Sequence, residues 1–185
     1  MPETLDAIGL RHGTDKASNG HDVLSFYERF LEPIRDRAVR VLEIGVLDGA
    51  SLHMWRDYFP NGMIIGVDRD RGSLAHVGDR ISIELADQSS KRDLDRIASL
   101  GPFDIILDDG SHVWSHQILS LQTLFPSLGP GGFYVVEDLD TSYGRYKPFY
   151  AGGRISAADY LHKLSDWVVG HRQMLEEDDP SVPQL

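Results

Sequence analysis

Acidic residues follow two apolar runs of the chain, and carboxylates grouped in this way can bind a cation. The first run ends in Asp108-Asp109-Gly110-Ser111-His112, and the next ends in Glu137-Asp138. If the two runs are neighbouring strands, Asp109, Glu137 and Asp138 converge, and three close carboxylates cannot all stay ionised without a counter-charge. A hard divalent cation such as Mg²⁺ binds oxygen ligands and keeps positions open for a substrate, whereas an oxygen-rich site disfavours zinc. We therefore predict a magnesium site at Asp109, Glu137 and Asp138.

A histidine follows the first acidic pair closely enough to act as a base. His112 lies three residues after Asp109, and a neutral imidazole there could accept the proton of a hydroxyl that the metal has acidified. We predict His112 as the catalytic base, with a structural cap as the alternative. His116 lies four residues further on, but the Glu of an HExxH zinc motif is missing, so a packed or helix-start histidine is the simpler interpretation.

The loop after the first apolar run has the composition of a cofactor loop. Gly45 and Gly49 are four residues apart, so the dinucleotide motif G-x-G-x-x-G is absent. Glu43 and Asp48 would repel a pyrophosphate, whereas S-adenosylmethionine (SAM) carries a sulfonium and an ammonium against one carboxylate. Glycine permits close backbone approach to a ligand. We predict that Glu43, Gly45, Gly49 and Ser51 bind SAM rather than NAD.

Further acids close the following runs and extend the predicted cofactor site. Asp68 ends the second run, where a carboxylate can accept hydrogen bonds from both ribose hydroxyls. Asp87 and Gln88 end the third run, where an acid–amide pair could bind the adenine ring. Asp108, at the end of the fourth run, completes the predicted set. Each residue alone could be a turn acid or a helix cap, but matches on successive runs favour a ligand site.

The pattern of the whole chain predicts the elements that position these residues. Apolar runs at 39–46, 63–70, 80–88, 103–110 and 131–139 alternate with helical periodicity at 50–59, 91–100 and 115–128. This alternation predicts a Rossmann-like α/β fold, a mostly parallel sheet with helices on both faces, which binds ligands beyond the carboxyl ends of its strands. We expect an N-terminal helical cap at 1–38, with a polar loop at 12–22 and a helix within 23–36, then the Rossmann-like domain at 39–170 and a disordered tail at 171–185.

Composition narrows the class of protein. The 185 residues suffice for one domain, and the net charge of −11 disfavours a nucleic-acid partner. The chain contains no cysteine, which excludes disulfides, thiolate zinc sites and cysteine nucleophiles. No apolar run approaches the roughly 20 residues of a membrane span, and the first residues lack a secretory pattern, so we expect no membrane partner and a cytoplasmic location. Homo-oligomerisation stays possible.

The motifs resemble a known family, the macrocin and mycinamicin type of sugar O-methyltransferases. The resemblance covers most of the chain and rests on GTDK at 13–16, VLEIGVLDGASLHMWRDYFP at 41–60, GVDRD at 66–70, ADQS at 86–89, DDGSHVWSHQ at 108–117 and LFPSLGPGGFYVVEDLDTSY at 124–143. It implies a class I SAM-dependent methyltransferase in antibiotic biosynthesis that methylates a hydroxyl of a small polyhydroxylated natural product. In that family the matching acids bind magnesium, here Asp109, Glu137 and Asp138, and the matching histidine, here His112, is the proposed base.

The resemblance also raises expectations about the rest of the chain. Family members continue into a sixth and an antiparallel seventh strand, but no β-rich run follows residue 139, so we expect an open sheet edge beside the fifth strand. Lys16 and its GTDK neighbours are expected to close over the cofactor. Aromatic residues are expected to line or cover the acceptor pocket: Trp114, Tyr143, Tyr146, Phe149 and Tyr150. The alternatives are a non-catalytic SAM-binding or scaffold module and a metal-dependent hydrolase.

Overall fold

An all-parallel five-stranded sheet forms the centre of the computed structural model, which describes residues 2–169. Its strands are β1 (Arg40–Ile44), β2 (Met63–Asp68), β3 (Ile81–Leu85), β4 (Phe103–Asp108) and β5 (Leu128–Val136). They lie in the order β3-β2-β1-β4-β5. The predicted Rossmann-like α/β fold is confirmed. The tail predicted at 171–185 lies outside the described residues.

The strands form where β-branched and aliphatic residues run together, because both faces of the sheet are covered. Val41, Ile64 and Ile105 belong to one buried core, while Leu42 and Ile106 belong to the core on the other face. Continuous apolar runs are typical of such doubly covered parallel strands.

Seven helices accompany these strands within residues 2–169: α1 (Leu5–His12), α2 (Leu24–Leu31), α3 (Ala50–Tyr58), α4 (Lys91–Ala98), α5 (Trp114–Leu124), α6 (Lys147–Tyr150) and α7 (Ala157–Val168). The spacing of apolar residues did not predict α1, α6 or α7. Of these, α1 and α7 begin at a side-chain cap, since Thr4 accepts from the Ala7 amide and Ser156 accepts from the Asp159 amide. The cap residues Thr4 and Ser156 therefore indicate two helices that the spacing of apolar residues alone does not predict.

The N-terminal segment is part of the main core rather than a separate layer. Leu5 and Ile8 of α1 and Leu24 of α2 pack in the same buried cluster as Trp55 of α3. Because α1 and α2 are both anchored in this core, the loop between them, residues 13–22, is held at the carboxyl edge of the sheet. The predicted helix at 23–36 ends at Leu31 and continues as a short 3₁₀ turn, Glu32–Ile34, where Pro33 cannot continue the helix hydrogen bonding.

Strand register decides what the carboxyl edge of the sheet presents. Asp108 pairs with Ile44 of β1 on one side and with Val136 of β5 on the other. The predicted adjacency of the fourth and fifth strands is therefore confirmed, and Glu137 donates its amide to the Asp108 carbonyl at 3.0 Å. Among residues 2–169, β5 pairs only with β4, as expected for an open edge. None of the helices in the described part of the chain is both long and apolar enough to span a bilayer.

Candidate active site

Two cavities meet at the carboxyl edge of the sheet. The larger, of about 370 Å³, extends from the 13–22 loop to His112 and Asp138. The smaller, of about 240 Å³, extends over Asp87 toward His116. Gly45, Asp68 and Gly110 line both, so the two form one crevice across β1, β2 and β4. This is where open α/β sheets bind ligands.

The two glycines of the predicted cofactor loop have different roles. Gly45 has φ +94°, and an added Cβ would overlap the Asp109 carbonyl oxygen and lie 2.8 Å from its carbon. Gly49 has φ +76°, and its added Cβ would overlap the His76 ring. Gly45 thus permits close approach of β1 and β4 at the crevice, while Gly49 permits the turn into α3 beneath His76.

Asp68 and Asp87 shape the crevice through backbone amides. The Asp68 carboxylate accepts from Val46 N at 2.9 Å and from Asp70 N at 2.8 Å. Asp87 accepts from Ser89 N at 2.8 Å and from Ser89 Oγ at 2.7 Å, and these bonds lower the pKa of Asp87. Each carboxylate retains lone pairs for a ligand.

Gln88 and Asp108 form a network beneath the crevice. Gln88 Nε2 donates to Asp108 Oδ1 at 2.6 Å and to Ser120 Oγ at 3.1 Å, and its Oε1 accepts from Ser111 N at 2.9 Å. Asp108 is fully buried, and burial raises its pKa to about 7. The Gln88 amide therefore links the loop after β3 to Asp108 at the end of β4 and to Ser120 of α5, while Gln88 also lines the smaller cavity.

A buried lysine lies between the candidate metal ligands. Lys16 Nζ donates to Asp109 Oδ2, donates to Glu137 Oε2 at 2.8 Å, and lies 3.8 Å from Glu43 Oε1. Glu43 in turn accepts from Ser51 Oγ at 2.9 Å. Burial by itself would lower the pKa of Lys16, but the three carboxylates raise it above its ordinary value, so Lys16 is cationic. Burial raises the pKa of Glu43 to about 7, and Lys16 opposes that rise.

Glu137 and Asp138 point in different directions. Glu137 is buried, and it accepts from Lys16 and from the Tyr27 hydroxyl at 3.1 Å. Asp138 has φ +54°, a left-handed backbone conformation, and its side chain is more exposed than that of Glu137. Its Oδ2 lies 3.4 Å from His112 Nε2.

Three groups come together at the open side of the site. Ligand atoms of Asp109, His112 and Asp138 all lie within 4.8 Å of one another. His112 also has a left-handed backbone, with φ +56°, and its Nε2 lies 4.0 Å from Asp109 Oδ1. The structure thus brings Asp109, Asp138 and His112 together, and it places Glu137 on the inner side, joined to Asp109 through Lys16.

Comparison with known proteins agrees with this geometry. No protein-family model matches the chain. It is 42% identical over 171 residues to the 8-demethyl-8-alpha-L-rhamnosyl tetracenomycin-C 2'-O-methyltransferase of Streptomyces olivaceus, covering 88% of this chain and 45% of that protein. It is 42% identical over 158 residues to the L-olivosyl-oleandolide 3-O-methyltransferase of Streptomyces antibioticus, covering 80% of this chain and 39% of that protein.

A solved structure matches the fold over nearly the whole chain. This is the MycE methyltransferase of the mycinamycin biosynthetic pathway in complex with Mg, SAH and mycinamycin VI, with a TM-score of 0.83 and 36% identity over 92% of this chain and 49% of that chain. The chain is homologous to the macrocin and mycinamicin type of sugar O-methyltransferases. It has the class I SAM-dependent methyltransferase fold. The chain spans about half the length, or less, of these sugar O-methyltransferases.

The sequence did not predict the contacts of two residues of the site, Lys16 and Tyr27. Lys16 was predicted only to close over the cofactor. Its place in the GTDK motif, which matches the family, was a signal that it has a specific partner. Tyr27 lay within a helical pattern and carried no signal, because its contact with Glu137 joins residues 110 positions apart. Neither contact follows from local spacing.

The expected pocket aromatics divide into buried and exposed groups. Trp114 is buried, and its indole nitrogen donates to the Thr141 carbonyl at 3.3 Å, so it packs the loop after β5. The Tyr150 ring lies 6.2 Å from the His112 ring. Phe149, Tyr143 and Tyr146 are all exposed, and Tyr146 is the least exposed of the three.

Proposed function

We propose that the chain carries the methyl-transfer site of a SAM- and Mg²⁺-dependent O-methyltransferase that acts on a sugar hydroxyl of a small glycoside. The observation that carries the proposal is the open group of Asp109, His112 and Asp138 at one end of a crevice along the carboxyl edge of the sheet. The similarity to sugar O-methyltransferases at 42% identity supports this chemistry.

The crevice fits SAM better than a dinucleotide. Asp48, Asp109 and Asp138 line its larger end, and their carboxylates outnumber the Lys16 ammonium there, so the field is negative, which favours a sulfonium and opposes a pyrophosphate. At its smaller end, Asp68 and Asp87 have free lone pairs for ribose hydroxyls and an adenine amino group. Gly45 lies where these ends join, and Ser51 lines the larger end and donates to the buried Glu43 at 2.9 Å. Gln88 and Asp108 support the crevice from below. MycE, the matching structure, contains SAH.

The donor set fits magnesium. Asp109 and Asp138 present hard oxygen ligands at the opening, and Glu137, the third predicted ligand, adds its charge from the inner side. Bound Mg²⁺ would supply Lewis acidity that lowers the pKa of a substrate hydroxyl. The MycE complex contains Mg as well.

His112 provides the proton transfer. Its Nε2 lies 3.4 Å from Asp138 Oδ2 and 4.0 Å from Asp109 Oδ1, which places the imidazole beside the proposed metal ligands. In the proposed step Nε2 takes the hydroxyl proton, and the freed oxygen lone pair forms the bond to the methyl carbon as the bond from that carbon to sulfur breaks. The base contributes roughly 10²–10⁴-fold, and positioning much of the rest.

The acceptor side favours a small glycoside. Tyr150 lies beside His112, and the neighbouring Phe149 is 80% exposed, so both offer apolar ring surface to a sugar or its aglycone. The net charge of −11 disfavours nucleic acid as the acceptor. A cytoplasmic location and self-association stay predictions from the sequence.

A methyl-transfer assay tests the proposal directly. The 185-residue chain is incubated with methyl-labelled SAM and Mg²⁺ against rhamnosyl and olivosyl glycosides, with catechol for comparison. We expect label in a sugar hydroxyl and loss of transfer with EDTA. Asp138→Asn should reduce transfer strongly, whereas the exposed neighbour Asp140→Asn should not. Transfer that is fully retained in EDTA would contradict the proposed chemistry.

One observation favours a second candidate, a SAM-binding module without turnover. The chain spans only 45% of one sugar O-methyltransferase and 39% of the other, so their activity does not by itself assign turnover to these 185 residues. Calorimetry that shows SAH and Mg²⁺ binding, together with no transfer to any glycoside of the panel, would favour this candidate.

A further inference from the structure

The ammonium of Lys16 is the inner cation of the proposed site. The side chain is 2% exposed, and its Nζ contacts or approaches three carboxylates, those of Glu43, Asp109 and Glu137. An ammonium removed from water is strongly unfavourable unless such partners surround it. Among residues 2–169 no other lysine is buried; Lys91, for example, pairs with Asp95 in solvent.

Lys16 divides the carboxylate group into an inner and an outer side. Its contacts engage Asp109 Oδ2 and Glu137 Oε2, while Asp109 Oδ1 stays on the side of His112. Tyr27 holds the second oxygen of Glu137. The inner oxygens are therefore fixed by protein donors, and the outer oxygens are the ones open to a metal.

The charges of the site support a resident cation. Three carboxylates, those of Glu43, Asp109 and Glu137, lie around the Lys16 ammonium, and a fourth, that of Asp138, lies next to Asp109. When all four are ionised, three negative charges remain, and one Mg²⁺ with one singly charged SAM neutralises them. Without Lys16 the same ligands would leave a buried negative charge.

The position of Lys16 in the chain links the metal site to the cofactor cavity. Gly13, Thr14, Asp15 and His21 of the same loop line the larger cavity. Elsewhere the loop is held by Ala17, which is buried in the main core, and by the exposed Ser18, whose amide donates to Asp6 at 2.7 Å. Lys16 joins this loop to the ends of β4 and β5.

We propose that Lys16 is a positioning residue, a fixed inner counter-ion that holds Asp109 and Glu137 in place before the metal binds and ties the 13–22 loop to them. The proposal rests on the proposed function. It assigns Lys16 no contact with the reacting atoms. It requires that Mg²⁺ become more important for folding when the ammonium is absent.

Thermal unfolding of Lys16→Met with and without MgCl₂ tests this requirement. Without Mg²⁺ the variant should melt below the wild type, and Mg²⁺ should raise its Tm by about 2–4 °C more than it raises that of the wild type, since the metal then supplies the missing charge. With saturating Mg²⁺, SAH should bind about tenfold more weakly, because the loop has lost its tie. Lys91→Met, which removes an exposed ion pair, is the control and should show neither effect.

A second variant keeps the test decisive if Lys16→Met does not fold. Lys16→Met combined with Glu43→Gln removes one buried carboxylate with the ammonium, so the double variant should recover part of the lost Tm and retain the enlarged Mg²⁺ response. An Mg²⁺ response equal to that of the wild type, with unchanged SAH affinity, would overturn the role of Lys16 and leave the proposed function intact. A wild-type chain that binds neither Mg²⁺ nor SAH would overturn both.

Discussion

Gly45→Ala probes the junction on which the crevice depends. At φ +94° an alanine adopts a backbone conformation that L residues avoid, and its Cβ would overlap the carbonyl oxygen of Asp109. That oxygen belongs to the backbone that follows β4, and the Asp109 amide donates to Ile44 O at 3.0 Å, so the obstacle cannot rotate away as a side chain could. Either β1 or β4 must move.

Two separate contributions lower the free energy of unfolding in Gly45→Ala. A left-handed conformation costs a non-glycine residue roughly 1–2 kcal/mol. Overpacking against a fixed backbone adds about 1–3 kcal/mol. We expect Gly45→Ala to reduce the free energy of unfolding by about 2–5 kcal/mol, a large share of the 5–15 kcal/mol typical of a domain.

Gly131→Ala is the matched control, because it isolates the first contribution. Gly131 has φ +79°, and its added Cβ would meet nothing within 4 Å among the described residues. It should cost about 1–2 kcal/mol. Urea unfolding followed by circular dichroism measures both variants at constant m-value. Equal losses for the two variants would show that β1 and β4 do not approach as closely at Gly45 as the structure has them.

Three further predictions follow from single contacts. Tyr27→Phe removes the hydroxyl that donates to Glu137 at 3.1 Å and should cost about 1–3 kcal/mol in urea unfolding, since the acceptor is a buried carboxylate; no change would mean that Lys16 alone satisfies Glu137. Partial burial raises the pKa of Asp57, but hydrogen bonds from His12, Arg11 and Arg56 outweigh this and hold that pKa well below its ordinary value. The stability from the Asp57 carboxylate is therefore present above its ordinary pKa of about 4 and is lost as pH falls from there through the depressed folded-state pKa. Wild type and Asp57→Asn should differ in urea midpoint at pH 7, and the difference should shrink progressively as pH is lowered from about 4 toward about 2, whereas an undiminished difference would refute the ionic origin. His112→Ala should lower methyl transfer by about 10²–10⁴-fold while calorimetry shows SAH affinity nearly unchanged, and an unchanged rate would require another base.

The order of the elements could be predicted from local pattern because the apolar runs are buried on both faces. LEI in β1 and DIIL in β4 are too continuous for a half-exposed strand, and glycine or an acid ends each run. Boundaries were less certain. The fifth strand, predicted from residue 131, begins at Leu128 and passes through Gly129 and Pro130, residues that a single-sequence pattern assigns to a turn.

The candidate ligands could be predicted for the same reason that the strands could. Acids at the ends of parallel strands reach one edge of the sheet whatever the details of packing, so Asp68, Asp87 and Asp109 were found from position alone. Their individual partners could not be found in this way. Gln88, for example, is predicted to bind the cofactor and lines the smaller cavity, but its bonds to Asp108 and Ser120 do not follow from its position at a strand end.

By itself the sequence determined the α/β alternation, the placement of acids and glycines at strand ends, and the pairing of a histidine with an acidic cluster. Only the tertiary structure decided which side each carboxylate faces. Lys16 comes from a loop 93 residues away from Asp109, and Asp138 has a left-handed backbone and a more exposed side chain than Glu137. Both depend on how distant segments pack together, and residue types and spacing carry no record of that packing.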